Sequence, residues 1–284
     1  MKDIRVVTLQ PEFRPAGFEE QWTSYERQLA PVLAEQRQSK IPPTLVVFPE
    51  YALGNALRGV GNKEQIDPTL KRAGQFARDH RVVLVGGSLA YNDGETWFNR
   101  SFVWDTRGRV VGQYDKQHLF RHEQKLGLTA GQGEEVVEVA ELDARVQILI
   151  CSDLWHPEHL RGQLGHPVDL VVVPTLSVVE AMNLTQYGRW LWHSLAVTRA
   201  RENVTPLVVS DWAVQQMGQS WTSGASSITD PSVRWTTPEE ASLAFDRFDE
   251  GQPSVAVGLI NQGQVEKYRQ YRRQAGLLPP TDEV

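Results

Sequence analysis

The chain has 284 residues, 40% hydrophobic and 23% charged, with 29 Lys and Arg against 35 Asp and Glu and a formal net charge of -6. That is the composition of a globular protein with enough apolar material for a sizeable core, and its acidic balance gives no electrostatic reason to bind nucleic acid or an anionic membrane. Mean hydropathy is -0.39, and no apolar run approaches the roughly 18 to 20 residues of a membrane span. The opening segment MKDIRVVTLQPEF has no signal-peptide-like apolar stretch, so a cytoplasmic address is expected. One cysteine, Cys151, leaves no intramolecular disulfide and no thiolate zinc cage, and singles out that thiol.

In chain order, short β-branched runs at Ile4–Leu9, Leu45–Phe48, Val82–Val85, Phe102–Trp104, Val146–Ile150, Leu170–Val173, Leu207–Ser210 and Val255–Leu259 read as strands. Several are apolar at nearly every position, which predicts strands covered on both faces. Helical patterns fall at Phe18–Gln38, Glu64–Asp79, Pro157–Leu164 and Gln186–Glu202; in the last, Trp190, Ser194, Val197 and Arg201 share helical spacing and Asn203 is the expected cap. A hairpin is expected over Phe98–Tyr114, turning at Asp105–Gly108. An early βαβα order that gives way to a hairpin favours a layered α/β sandwich over a closed eight-fold barrel. Pro and Gly punctuate the chain without forming a linker, so one domain is expected, and the basic run Arg269–Arg273 reads as a solvated helix face.

Cys151 closes the apolar run Val146–Ile150 and precedes the polar segment Ser152–Glu158, in which Pro157 suits a first helical turn. A thiol held at such an edge can be activated by nearby backbone N–H groups, although an isolated free cysteine is more often a packed core residue. Two classes of base are open. Histidines are available at positions 118, 122, 156 and 159, but their nearness in sequence says little about nearness in space. His118 and His122 with Glu123 invite a metal reading, but none of the histidines forms an HExxH pattern, and no metal is expected. The other class is carboxylate: Leu45–Phe48 leads through Pro49 to Glu50, an acid at the carboxyl edge of an apolar strand. Desolvated beside a thiol, such a glutamate has a raised pKa and can act as a base. Lys116 lies just past another strand, where a fixed cation can stabilise a developing oxyanion.

Phe48-Pro49-Glu50, then Tyr114-x-Lys116-x-His118-Leu119-Phe120, then Cys151-x-Asp153-Leu154-x-x-Pro157-Glu158, in that order and spacing, resemble the nitrilase superfamily of carbon-nitrogen hydrolases. The likeness extends to the hairpin Asn99–Gly112, to Arg199-Ala200-Arg201-Glu202-Asn203 and to Ser223–Pro231, and covers roughly residues 4 to 260. The resemblance implies an α/β fold of the four-layer αββα sandwich type, with residues 1–262 as the hydrolase domain and 263–284 as a C-terminal tail in an oligomer interface. It implies a homodimer or higher homo-oligomer and a site free of metal and cofactor. It also implies that Cys151 attacks the carbon of a small non-peptide amide, Glu50 acts as base and acid, Lys116 stabilises the oxyanion, and a thioester forms with loss of ammonia or an amine.

A second glutamate of the family is matched best by Glu123, one residue further from Gly131 than the pattern expects, with Glu134 and Glu135 as fallbacks. Ser152, through its backbone N–H, Tyr114 and Trp155 are the expected substrate contacts. The chain departs from the family pattern at Ser152, at Trp155-His156 and at Thr175–Val178. Where relatives that act on dicarboxylate mono-amides carry an arginine, Trp155 offers an apolar or cation-binding wall instead. Alternative readings are an N-carbamoyl amide hydrolase, a nitrilase, a Cys/His hydrolase on another fold, and a non-catalytic binding member of this fold.

Overall fold

In the computed structural model, which describes residues 3–14, 17–35, 41–54, 64, 66–133, 136–161, 168–232 and 251–278, the apolar runs of the sequence become the strands of two stacked sheets. The first half of the chain supplies β1 (Ile4–Gln10), α1 (Phe18–Glu35), β2 (Thr44–Val47), α2 (Ile66–His80), β3 (Val83–Val85), β4 (Leu89–Asn92), β5 (Trp97–Trp104), β6 (Val110–Asp115) and the short α3 (Arg121–Lys125). The second half supplies β7 (Val136–Val139), β8 (Ala144–Ile148), a 3-10 turn at Cys151–Trp155, α4 (Glu158–Arg161), β9 (Leu170–Pro174), β10 (Val178–Val179), α5 (Thr185–Asn203), β11 (Leu207–Ser210), β12 (Gln216–Met217), β13 (Ser220–Thr222), β14 (Ser227–Thr229), β15 (Ser254–Ile260) and α6 (Gln262–Gln274). The ends of two expected helices, residues 36–38 and 162–164, lie outside the described residues.

One of the stacked sheets runs β15-β1-β2-β3-β5-β4, with β6 paired to β5, the second runs β14-β11-β9-β8-β7, and a small third sheet is ordered β10-β13-β12. Parallel pairing joins β1, β2 and β3 in the first sheet and β8, β9 and β11 in the second. The period of two along each strand divides the side chains between layers. Ile4, Val6, Leu45, Val47, Val83, Val85 and Val103 face the second sheet and pack with Val146, Ile148, Leu170 and Val172. Their neighbours Val7, Leu9, Val46, Phe48, Leu84 and Trp104 pack with Trp22, Tyr25, Leu29 and Phe76 of α1 and α2. On the far side of the second sheet, Trp192, Ala196 and Ala200 of α5 join the core. The layers are therefore helices, sheet, sheet, helices, the expected four-layer αββα sandwich. Polar bonds cross between the sheets: Thr8 Oγ1 donates to the Val209 carbonyl at 3.1 Å, and Ser210 Oγ donates to the Val47 carbonyl at 3.1 Å.

Some local expectations change in three dimensions. The buried stripe of α5 is Gly188-Trp192-Ala196-Ala200-Asn203, while Trp190 is exposed. The helix ends on Val204 in the left-handed region at φ 48°, and Asn203 instead returns its amide to the Arg199 carbonyl at 2.9 Å. β15 is an edge strand whose Val257 and Leu259 are exposed, so it is not covered on both faces. The basic run on α6 is a solvated face only in part: Arg269 is buried, donating to the carbonyls of Val168 at 2.6 Å and Val204 at 3.0 Å, and Val265 on the same helix enters the core. Carbonyls orphaned where the chain leaves α5 and enters β9 need a long cationic donor, and that need overrides the preference of arginine for water.

Candidate active site

Three of the loops that build the site leave the carboxyl ends of parallel strands, the place where α/β sheets gather functional groups. Glu50 follows β2, Cys151 follows β8 and Leu176 follows β9, while Lys116 is the residue after β6. The turn that carries Glu50 is tightly held: its backbone N–H bonds the Thr175 carbonyl at 3.3 Å, and its carbonyl accepts Trp212 Nε1 at 2.8 Å. Gly87 makes this turn possible, since a Cβ there would lie 1.9 Å from the Pro49 carbonyl oxygen. Tyr51 and Cys151 both adopt left-handed backbone, at φ 61° and 47°. For side chains of this size that conformation is strained and persists only where surrounding contacts enforce it.

Glu50, Lys116 and Glu123 form one buried cluster with Cys151 at its edge. Lys116 Nζ donates to Glu50 Oε1 at 2.7 Å and to Glu123 Oε2 at 2.7 Å. The Asn99 amide nitrogen donates to both carboxylates, at 2.9 Å to Glu50 Oε1 and 2.7 Å to Glu123 Oε1. Glu123 also accepts the Tyr51 hydroxyl at 2.5 Å and the Phe120 N–H at 2.7 Å. The other oxygen of Glu50 accepts the Leu176 N–H at 3.0 Å, and the Cys151 thiol is near enough for the two groups to influence each other's ionisation. Cys151 Sγ also lies 3.7 Å from the Leu176 carbonyl, and the residue is partly exposed.

Two carboxylates and one ammonium cannot all be balanced in a dry environment, so one acid holds its proton more tightly. Burial, aided by the charge of Glu123, lifts Glu50 to about 7 against the pull of Lys116. Burial works the same way on Glu123, but Lys116, Tyr51 and the Phe120 N–H overcome it and hold that carboxyl below its usual range. The two acids share Lys116 and Asn99 and differ in the rest: Glu123 adds the Tyr51 hydroxyl and the Phe120 N–H, whereas Glu50 adds the Leu176 N–H. Burial alone would lower Lys116, yet the surrounding acids Glu50 and Glu123 keep it firmly protonated. Burial and the adjacent Glu50 push the Cys151 thiol up, so at rest it is a thiol with an acceptor in place and not a free thiolate.

Beside Cys151, Asp153 ties the Cys151 loop to the lysine strand. Its Oδ2 accepts the Ile150 N–H at 3.0 Å and the Tyr114 hydroxyl at 2.9 Å. Its Oδ1 accepts the N–H groups of His118 at 2.8 Å and Gln117 at 3.2 Å.

The remaining expected residues are placed as follows. Tyr114 is buried in the inter-sheet core with its hydroxyl committed to Asp153. Ser152 Oγ donates to the His118 carbonyl at 2.5 Å, and its backbone begins the 3-10 turn. Trp155 is 43% exposed and stands edge-on to Trp192, with ring centroids 5.9 Å apart. The fallbacks Glu134 and Glu135 lie outside the described residues. Glu123 is committed to Lys116, so it is not part of a metal grouping with His118 and His122.

Sequence reasoning gave no role to Asn99, Tyr51, Asp153 or the backbone of Leu176. Asn99 carried one usable signal, an amide inside the strand Trp97–Trp104, where a buried polar side chain must find partners.

The profile of the carbon-nitrogen hydrolase family matches residues 11–270. The chain is 34% identical over 125 residues to the "Hydrolase in agr operon" of Staphylococcus lugdunensis, a match covering 41% of this chain and 52% of that protein. The chain thus spans about half the length of that curated relative. Its fold superposes on the crystal structure of Nit3 from Saccharomyces cerevisiae, a member of the nitrilase superfamily, with TM-score 0.75, 19% identity and coverage of 95% of this chain and 94% of that one. It also superposes on a mutant amidase from Nesterenkonia sp. AN1 that carries an acetamide group on its active-site cysteine, with TM-score 0.71, 20% identity and coverage of 96% of each chain. The length of the family match and the likeness of fold agree with the order of the sequence motifs, and the chain belongs to the carbon-nitrogen hydrolase family.

Proposed function

We propose that the protein hydrolyses small non-peptide amides through a thioester on Cys151, releasing ammonia or an amine. The observation that carries this reading is the position of Lys116 Nζ, 2.7 Å from both Glu50 and Glu123, with the Leu176 segment holding Glu50 through its N–H and the Cys151 thiol through its carbonyl. A nucleophile, a base with its pKa near neutrality and a fixed cation are the parts that covalent acyl transfer requires.

The thiol proton passes to Glu50 as Cys151 Sγ bonds the amide carbon. Negative charge collects on the former carbonyl oxygen, where Lys116 and the backbone N–H of Ser152 are the proposed donors. Glu50 returns the proton to the nitrogen as the C–N bond breaks, and ammonia or an amine leaves. A water gives its proton to Glu50 and attacks the thioester, and the collapse of that second adduct releases the carboxylic acid and restores the thiol. Glu123, with Tyr51 and Asn99, holds Lys116 in place. The covalent cysteine adduct of the Nesterenkonia amidase, an acetamide group joined to sulfur, supports a nucleophilic cysteine at this position of the fold.

Among the described residues no arginine contacts Glu50, Lys116, Glu123 or Cys151, and Trp155 takes the sequence position of an arginine that would favour a substrate carboxylate, so we propose an acyl group without a terminal carboxylate. Ammonia release from a panel of aliphatic amides, aromatic amides, dicarboxylate mono-amides, N-carbamoyl amino acids and nitriles tests the reading. Turnover of neutral amides that vanishes in Cys151→Ala is expected. A preference for dicarboxylate mono-amides contradicts the substrate class, and turnover that survives in Cys151→Ala contradicts the mechanism.

We propose in addition that the protein works as a homo-oligomer, a reading supported by exposed Met182, Leu184, Tyr187 and Trp190 clustered around the start of α5. A monomer by light scattering at micromolar concentration contradicts it.

A further inference from the structure

Beside the Glu-Lys-Cys centre, three histidines gather around Asp153. His118 Nδ1 lies 3.1 Å from Asp153 Oδ1 and 3.0 Å from His159 Nε2. His156 stacks on the His118 ring at 3.4 Å, with 11° between the planes, and its Nδ1 is 3.4 Å from Glu158 Oε1. His159 and Asp153 are buried, whereas the His118 side chain is 31% exposed. Neither His156 nor His159 has a part in the proposed hydrolysis.

A proton on His118 Nδ1 has to serve Asp153 Oδ1 and His159 Nε2 together, while a proton on His159 Nε2 leaves the His118 lone pair facing a carboxylate oxygen. A divalent ion satisfies all three atoms at once. Metal–N and metal–O bonds of about 2.0 to 2.1 Å at a tetrahedral centre place neighbouring ligand atoms about 3.3 Å apart. The observed 3.0 and 3.1 Å fall within a few tenths of an ångström of that edge, and the three ligand atoms all lie within 4.8 Å of one another.

We infer that His118 Nδ1, His159 Nε2 and Asp153 Oδ1 form a binding site for a borderline divalent transition metal such as Zn2+, separate from the Glu-Lys-Cys centre, with solvent completing the coordination. Two imidazoles and one carboxylate favour zinc, cobalt or nickel over magnesium or calcium, which take all-oxygen shells. The ion has no part in amide cleavage. It competes for the carboxylate that positions Ile150, Gln117 and His118, so occupancy lowers turnover by disturbing the Cys151 loop.

The test titrates Co2+ into metal-free protein and follows visible d–d absorption, with Zn2+ as competitor. Wild type and Cys151→Ser are both expected to develop the bands at one equivalent, without thiolate charge transfer in the near ultraviolet, and to lose them to Zn2+. His159→Gln and His118→Gln are each expected to weaken binding by more than about tenfold. His118 is partly exposed, so its variant keeps the test sound if His159→Gln fails to fold, as circular dichroism would show. Absence of the bands in wild type, their loss in Cys151→Ser or their retention in both folded histidine variants overturns the inference. None of these readouts requires an active enzyme.

Discussion

Leu176 and Glu50 meet at 3.0 Å, the backbone N–H of the first donating to Oε2 of the second, while the carbonyl of the same leucine lies 3.7 Å from Cys151 Sγ. One peptide segment from the end of β9 thereby orients both partners of the proposed proton transfer. The donors on Oε1, Lys116 and Asn99, leave the carboxylate little rotational freedom. The proposed base is thus held in place by the protein itself, an arrangement that reduces the reorganisation needed in the transition state.

The first consequence concerns pH. Glu50, lifted to about 7, acts as base only when ionised, so kcat/KM rises with pH through about 7 and reaches its plateau above it. A pH–rate profile with a suitable amide checks this. An acidic limb near 4.5, the ordinary glutamate value, would mean that the site does not hold Glu50 as described.

Lys116 carries both rate and stability. Lys116→Met removes the proposed oxyanion donor and leaves two carboxylates buried without their cation. The expected loss is at least about 10³-fold in kcat. Breaking a buried ion pair from one side also costs about 3 to 5 kcal/mol of folding stability, read by urea denaturation. A variant with near-normal turnover would sink the assignment.

Asn99 should act through Glu50. Its amide stabilises the charged form of that carboxylate, so Asn99→Ala raises the Glu50 pKa and moves the acidic limb of kcat/KM to higher pH. A fall in kcat of about 10- to 100-fold at neutral pH is expected, recovered in part at alkaline pH. A uniform loss with an unmoved profile would reduce Asn99 to a packing role.

Asp153→Ala frees the Cys151 loop from the lysine strand. The change strands the N–H groups of Ile150, Gln117 and His118, at about 1 to 3 kcal/mol for each donor left buried and unsatisfied. Chemical denaturation should show a drop of several kcal/mol. A loss below about 1 kcal/mol would mean that water replaces the carboxylate.

Much of this arrangement was legible in the sequence because abrupt changes of character mark strand ends. Phe48 to Glu50, Tyr114 to Lys116 and Ile150 to Ser152 each turn from apolar or aromatic to polar within two or three residues, and each change lies at the end of a strand in the fold. The layer structure was legible for a related reason, since Leu45–Phe48 and Leu170–Val173 are apolar on both faces. What escaped depends on tertiary contact. Asn99 meets Glu50 from 49 residues away and Tyr51 meets Glu123 from 72, so no local pattern pairs them. Arg269 was misread for the same reason, because its carbonyl partners at Val168 and Val204 come from other parts of the chain. In α5, several helical stripes are equally regular, and only the packed sheet selects Trp192 over Trp190 for burial.

The most direct test of the central claim is intact-mass spectrometry of the protein quenched during turnover of its best amide, followed by peptide mapping. The account predicts a mass increase equal to the substrate less ammonia or the departing amine, located on Cys151 and absent from Cys151→Ala. Turnover without any such adduct under conditions where deacylation is slowed, or an adduct on another residue, would contradict it.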